Sequence, residues 1–124
     1  NTQGGSIPNY TNAIVGVPDF SHSVGANTGE FAYTVSASTT SDLAQKFLDD
    51  TADCNTGSAD TSGATSCWYG LNTAATSTIN RTTGTTASGA TTTIFFRTQI
   101  TSNPSPSIAE DTYTATTTLT AAVN

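Results

Sequence analysis

A chain of 124 residues is one domain's worth, and its nine acidic residues against three basic ones give a net charge of −6. That balance excludes a nucleic-acid or anionic-membrane surface built on clustered Lys and Arg, and no apolar run approaches the roughly 20 residues of a spanning helix. Charged residues make up only 10% of the chain while Thr fills 28 positions, which favours pleated surfaces over helix interiors. Apolar residues, at 35%, make a thin core, the kind that a covalent staple or a neighbouring chain completes. They fall in alternating clusters, unlike those of a disordered Ser/Thr-rich stalk.

Residues 1–17 read as an extended arm punctuated by Gly4, Gly5 and Pro8 and ended by Pro18. It carries Ile7, Ala13, Ile14, Val15 and Val17, with Ile7, Ala13, Val15 and Val17 sharing one strand parity. Two destinations fit it: the first strand of its own sheet, or a strand added to the sheet of another copy. Residues 18–124 form the domain proper. After a polar loop over 19–29, residues 30–37 alternate cleanly, with Phe31, Tyr33, Val35 and Ala37 on the core side. Residues 40–50 hold the one helical signal: Asp42 as cap with Gln45 three residues on, and Leu43, Ala44, Phe47 and Leu48 at helical spacing. A polar loop over 53–66 leads to a strand at 67–71, and a Thr/Gly linker over 81–90 leads to the final hairpin. Its first strand is 94–100. Its second, 113–123, sets Tyr113, Ala115, Thr117, Leu119, Ala121 and Val123 on one face and Thr residues on the other. Pro104 and Pro106 stop the ladder between them. Short strands at roughly ten-residue intervals, separated by Gly, Pro and Asn, predict an all-β domain. The expected form is a jelly-roll-like or immunoglobulin-like β-sandwich with at most one short helix.

Cys54 and Cys67 are the two cysteines and flank a polar loop of 12 residues. A redox pair is usually C-x-x-C, and a zinc site needs more ligands than one His supplies. A structural disulfide is therefore expected, contributing roughly 3 kcal/mol by loop closure. Asp49, Asp50, Asp53 and Asp60 with Asn55 gather around the same loop. Oxygen ligands of this kind suit calcium, but the spacing is not that of an EF-hand, and a solvated acidic loop is the preferred reading. His22 is the single histidine; with no G-x-S-x-G elbow, a Ser-His-Asp site is not favoured. Glu30 and Glu110 are the plausible carboxylates for glycoside hydrolysis, and nothing pairs them. Trp68 and Tyr69 have opposite parity, so one faces in and one out; the preferred reading is that one packs the core against the disulfide, and a sugar-stacking platform is the alternative. Asn9 and Asn80 open N-x-Thr sequons.

The ending Ile108-Ala109-Glu110-Asp111-Thr112-Tyr113-Thr114-Ala115-Thr116-Thr117-Thr118-Leu119-Thr120 resembles the last strand of secreted prokaryotic fibre and pilin-like domains. These include the TasA/camelysin type of biofilm-matrix fibre protein and, more distantly, the chaperone-usher pilins. Glu110-Asp111 stands where those domains usually have Ala-Gly. The resemblance implies a sandwich polymerised by strand donation between subunits. The resulting expectation is a non-enzymatic structural subunit of an extracellular or cell-surface filament. It would pair with copies of itself through the arm residues Ile7, Ala13, Ile14, Val15 and Val17, without cofactor, metal or membrane span. The alternative is a secreted carbohydrate-binding or adhesin module with a glycan or surface ligand.

Overall fold

The computed structural model describes residues 7–61, 63, 65–71, 73–84, 87–105 and 107–121. Three strands, β1 (Gly29–Ala37), β2 (Tyr69–Gly70) and β3 (Thr92–Ile100), form one antiparallel sheet in the order β2-β1-β3. β1 and β3 pair along their whole length, from Gly29 opposite Ile100 to Ala37 opposite Thr92, whereas β2 meets β1 only at Ala32 and Tyr33. The expected β-rich character with almost no helix is observed. Among the described residues there is a single sheet, and no helix is long and apolar enough to cross a membrane.

The alternation in β1 sets the layers. Tyr33 and Val35 pack with Leu43, Ala44, Phe47, Leu48, Cys67 and Tyr69 in the main core. Phe47 and Val35 are 1% and 2% exposed, and complete burial of such side chains contributes about 1.5–3 kcal/mol each before ordering costs. The opposite face of β1 is covered too. Ala32 is fully buried in a second cluster with Tyr10 and Trp68, because the chain before β1 folds over it.

Three expectations are corrected. First, the 40–50 segment is two separate 3-10 turns, Thr40–Asp42 and Gln45–Phe47. Leu43 and Ala44 between them are extended because the Ala44 N–H donates to the Thr78 carbonyl at 2.9 Å and Leu43 bridges Ile79. The Asp42 carboxylate takes Arg81 at 2.6 Å and caps no turn. The helical spacing nevertheless identified four residues that are all buried. Second, the final hairpin does not form. After β3 the chain turns at Asn103, whose φ is +54°, and the Ser105 N–H donates to the Asn27 carbonyl at 2.7 Å. Ile108 then packs over Gly29, where a Cβ would strike its side chain. The C-terminal segment is thereby led across the beginning of β1, and 113–121 is exposed and outside any strand. Residues 122 and 123 of the expected strand lie outside the described residues. Third, 13–17 is not extended. Ile14, Val15, Gly16 and Val17 form a turn closed by the Val17 N–H on the Ile14 carbonyl at 3.1 Å, with Gly16 at φ +82°, the type II pattern that glycine adopts without a Cβ penalty.

Candidate functional site

The two long edges of the β1–β3 pair differ. On the β2 side, the Phe31 N–H donates to the Pro8 carbonyl and the Phe31 carbonyl accepts from the Tyr10 N–H, both at 2.9 Å. Tyr33 pairs with Tyr69, and the Ala37 N–H donates to Asp60 Oδ2 at 3.2 Å. That edge is closed by the arm, by β2 and by a carboxylate in turn.

The outer edge of β3 is open. The bonds from Thr101 N–H to the Thr28 carbonyl and from Ser38 N–H to the Thr91 carbonyl, each 2.9 Å, bracket the β1–β3 ladder. Hydrogen-bonded pairs alternate along an antiparallel ladder. Thr92, Ile94, Phe96, Thr98 and Ile100 therefore direct their N–H and carbonyl groups away from β1. Among the described residues no backbone group pairs with them. Phe95, Phe96 and Ile100 are each about half exposed, at 48%, 48% and 49%, and Phe96 stacks on Phe31 with ring centroids 5.7 Å apart. β3 contains no proline, lysine or acid, the residues that usually blunt an edge. Its one charge, Arg97, lies over the Trp68 ring at 5.7 Å on the other face. Beside Ile94 and Phe96 runs a groove of about 790 Å³, walled by residues 73–78 and by 116–120 of the C-terminal segment.

The arm residues are divided. Residues 8–12 are bound to their own domain. Besides the bridges to Phe31, the Asn12 side chain donates to the Trp68 carbonyl at 2.8 Å and accepts from the Gly70 N–H at 3.1 Å, and Ala13 N–H donates to Asp19 Oδ2 at 3.0 Å. Gly70 permits this crossing, since a Cβ there would collide with the Tyr10 carbonyl oxygen. Ile7 and Val17 are half-buried; Ala13 is exposed, and Ile14 and Val15, at the turn, are 64% and 99% exposed. Residues 1–6 lie outside the described residues. The backbone that would pair with a neighbour between residues 8 and 12 is thus already committed to its own sheet.

Cys54 and Cys67 form the expected disulfide, with Cα atoms 5.7 Å apart, tying the polar loop to the chain two residues ahead of β2. Around it the carboxylates serve the loop itself. Asp49, 1% exposed, accepts from Thr51 N–H at 2.8 Å and from Thr61 N–H and Oγ1 at 2.9 and 2.8 Å. Asp60 accepts from Ser36 Oγ at 2.8 Å. Asp50 accepts from the Asp53 N–H at 2.8 Å and from the Ala52 N–H at 3.1 Å, bonds that hold its carboxyl below the usual carboxylate range. Asp53 and Asn55 are exposed on the same loop, Asn55 at φ +64°. Among the described residues no three His, Cys, Asp or Glu side chains converge as a metal site would require.

Trp68 and Tyr69 do take opposite faces, and both are buried, at 5% and 8%. Tyr69 meets Phe47 and Tyr33 edge-on in the main core; Trp68 lies under the arm. Neither offers a stacking platform. His22 sits between Tyr10 and Trp68, with ring centroids 4.7 and 5.6 Å away. Burial first, then the Arg97 charge, hold its imidazole below the ordinary value. Burial and the neighbouring Asp19 push the Tyr10 phenol up to about 12. Glu30 lies at the start of β1, its carboxyl shifted upward by burial, and Glu110 is exposed ahead of the C-terminal segment; no hydrogen bond joins them. Asn9 and Asn80 are both exposed.

Sequence reasoning missed the lock formed by Tyr10, Asn12 and Asp19, and it missed that β3 is an edge. The adjacent Phe95 and Phe96, apolar on both faces in a strand without Lys or Pro, were the signal for the second. Comparison with known proteins finds no family model that matches this chain and no similar curated protein or solved structure.

Proposed function

We propose that this chain is a structural subunit of an extracellular filament in which β-strands donated between copies complete each subunit's sheet. The observation that carries the reading is the open outer edge of β3: a nine-residue strand whose outward backbone groups have no backbone partner among the described residues, with half-exposed Phe95, Phe96 and Ile100. An edge of this kind is a template for another strand. Completing the burial of three half-exposed apolar side chains contributes about 1 kcal/mol apiece, in addition to the backbone bonds. A β-sandwich of jelly-roll or immunoglobulin type is the form we assign to the completed subunit, with the added strand extending the existing sheet beyond β3. The disulfide fits an oxidising, extracellular setting. The role is non-enzymatic and requires no cofactor; the single histidine is enclosed by Tyr10 and Trp68. The resemblance of residues 108–120 to fibre-forming domains points the same way.

Negative-stain microscopy and sedimentation of the disulfide-intact chain over rising concentration test this. Filaments of uniform width in equilibrium with monomer are expected. A chain that stays monomeric up to its solubility limit overturns the reading.

A further inference from the structure

A filament of this chain needs a donor and an acceptor, and the assignment of both rests on the filament reading. We propose that the acceptor is the outer edge of β3 and the donor is the segment 113–121 of a second copy.

The segment has a strand's sequence and no strand's partner. Tyr113, Ala115, Thr117, Leu119 and Ala121 alternate with Thr, the pattern of a half-buried strand. Yet Leu119 is 75% exposed, and among the described residues the backbone of 113–121 forms no hydrogen bond; the Tyr113 hydroxyl alone donates, to the Ala109 carbonyl at 2.6 Å. Residues 113–121 match β3 in length, and neither carries an acid or a lysine to oppose pairing. The same chain therefore holds an unpaired edge and an unpaired strand that suit each other. They do not pair in cis: 116–120 walls the same groove as Ile94 and Phe96, yet among the described residues no backbone hydrogen bond joins the segment to β3. The N-terminal arm is the poorer donor, because residues 8–12 are bound to Phe31, Trp68 and Gly70 of their own domain. Since donor and acceptor are different surfaces, each junction leaves one of each free, and association propagates as an open chain.

Two full-length variants test the assignment. Thr98→Pro removes an outward-facing N–H of β3 without touching a bond to β1, so it disables the acceptor and leaves the donor. Thr116→Pro with Thr117→Pro removes a donor N–H on both parities of the segment, so it disables the donor and leaves the acceptor. Each alone should sediment as a folded monomer, with circular dichroism unchanged, and lose filaments. An equimolar mixture should form a discrete dimer with one junction and no filament. Filaments from the Thr116/Thr117 variant overturn the donor assignment while sparing the filament reading, and point back to the arm. Filaments from Thr98→Pro overturn the acceptor. A mixture that stays monomeric overturns the pairing. Slow amide exchange at Thr98 in dilute wild-type monomer also overturns it, because that edge would then be paired in cis. Absence of wild-type filaments is the separate outcome that removes the filament reading itself.

Discussion

His22 is a polar side chain in an apolar setting: both ring nitrogens are buried and, among the described residues, have no hydrogen-bond partner, a state that costs free energy if the ring is charged. Its folded-state value lies below the ordinary 6.5 because of burial and the Arg97 guanidinium, so the unfolded chain binds the proton first as pH falls. Stability attributable to His22 is therefore complete above 6.5 and is lost as pH falls from there toward the lower folded value. The Asp50 carboxyl, held low by the Asp53 and Ala52 N–H groups, has its window shifted below the usual carboxylate range. We expect the urea midpoint to fall through the His22 window in the wild-type chain and to stay flat there in His22→Phe, which keeps an aromatic ring between Tyr10 and Trp68. Superimposable profiles would show that the imidazole is not the titrating group. The arm should loosen first, since Tyr10 is the ring in closest contact, and amide exchange at Tyr10 should rise before that of Val35.

Among the elements, β2 is only two residues long, too short to hold its place by two backbone pairs. The Cys54–Cys67 bond fixes its entry, and the pairing of Asp19 with Trp68, at 2.9 and 2.8 Å, fixes its other flank. Replacing both cysteines with serine should lower stability by about 3 kcal/mol in the loop-entropy account. It should also place a hydroxyl in the core at Cys67, which is 2% exposed. A lower urea midpoint with a steeper slope, from the less constrained unfolded chain, is the expected readout; an unchanged midpoint would mean that core packing alone holds β2. The elements also mark what the sequence made legible. Period-2 alternation identified β1 and β3, and spacing identified Leu43, Ala44, Phe47 and Leu48 as buried, because those signals depend on local pattern and side-chain burial. The broken helix, the two covered faces of Ala32 and the diverted C-terminal segment depend on partners distant in the chain: Thr78 on Ala44, Tyr10 on Trp68, Asn27 on Ser105. No local pattern encodes those. The open edge was half legible, since 94–100 read as a strand, but its proposed mate read as a hairpin neighbour.

At the scale of the whole molecule, the net charge of −6 bears on assembly. Copies of this chain repel one another, while the proposed junction has no acid or lysine in either strand and Arg97 is turned toward Trp68. Repulsion between subunits is then a long-range cost set against a short-range gain of apolar and backbone contact. Salt screens the first and leaves the second nearly untouched; the screening length falls from roughly 10 Å at 0.1 M to 3 Å at 1 M. The critical concentration for filament formation should therefore drop as sodium chloride is raised, measured as the pelletable fraction across a concentration series. A junction held by ion pairs would do the reverse. Glu110 and Asp111 sharpen the test, because both are exposed immediately ahead of the proposed donor segment. Glu110→Gln with Asp111→Asn removes two of the nine acidic charges near the junction. It should lower the critical concentration at low salt and flatten its dependence on salt, with folding of the monomer unchanged. If the doubly neutral variant keeps the full salt response, the repulsion arises elsewhere on the subunit and the donor segment does not lie at the interface.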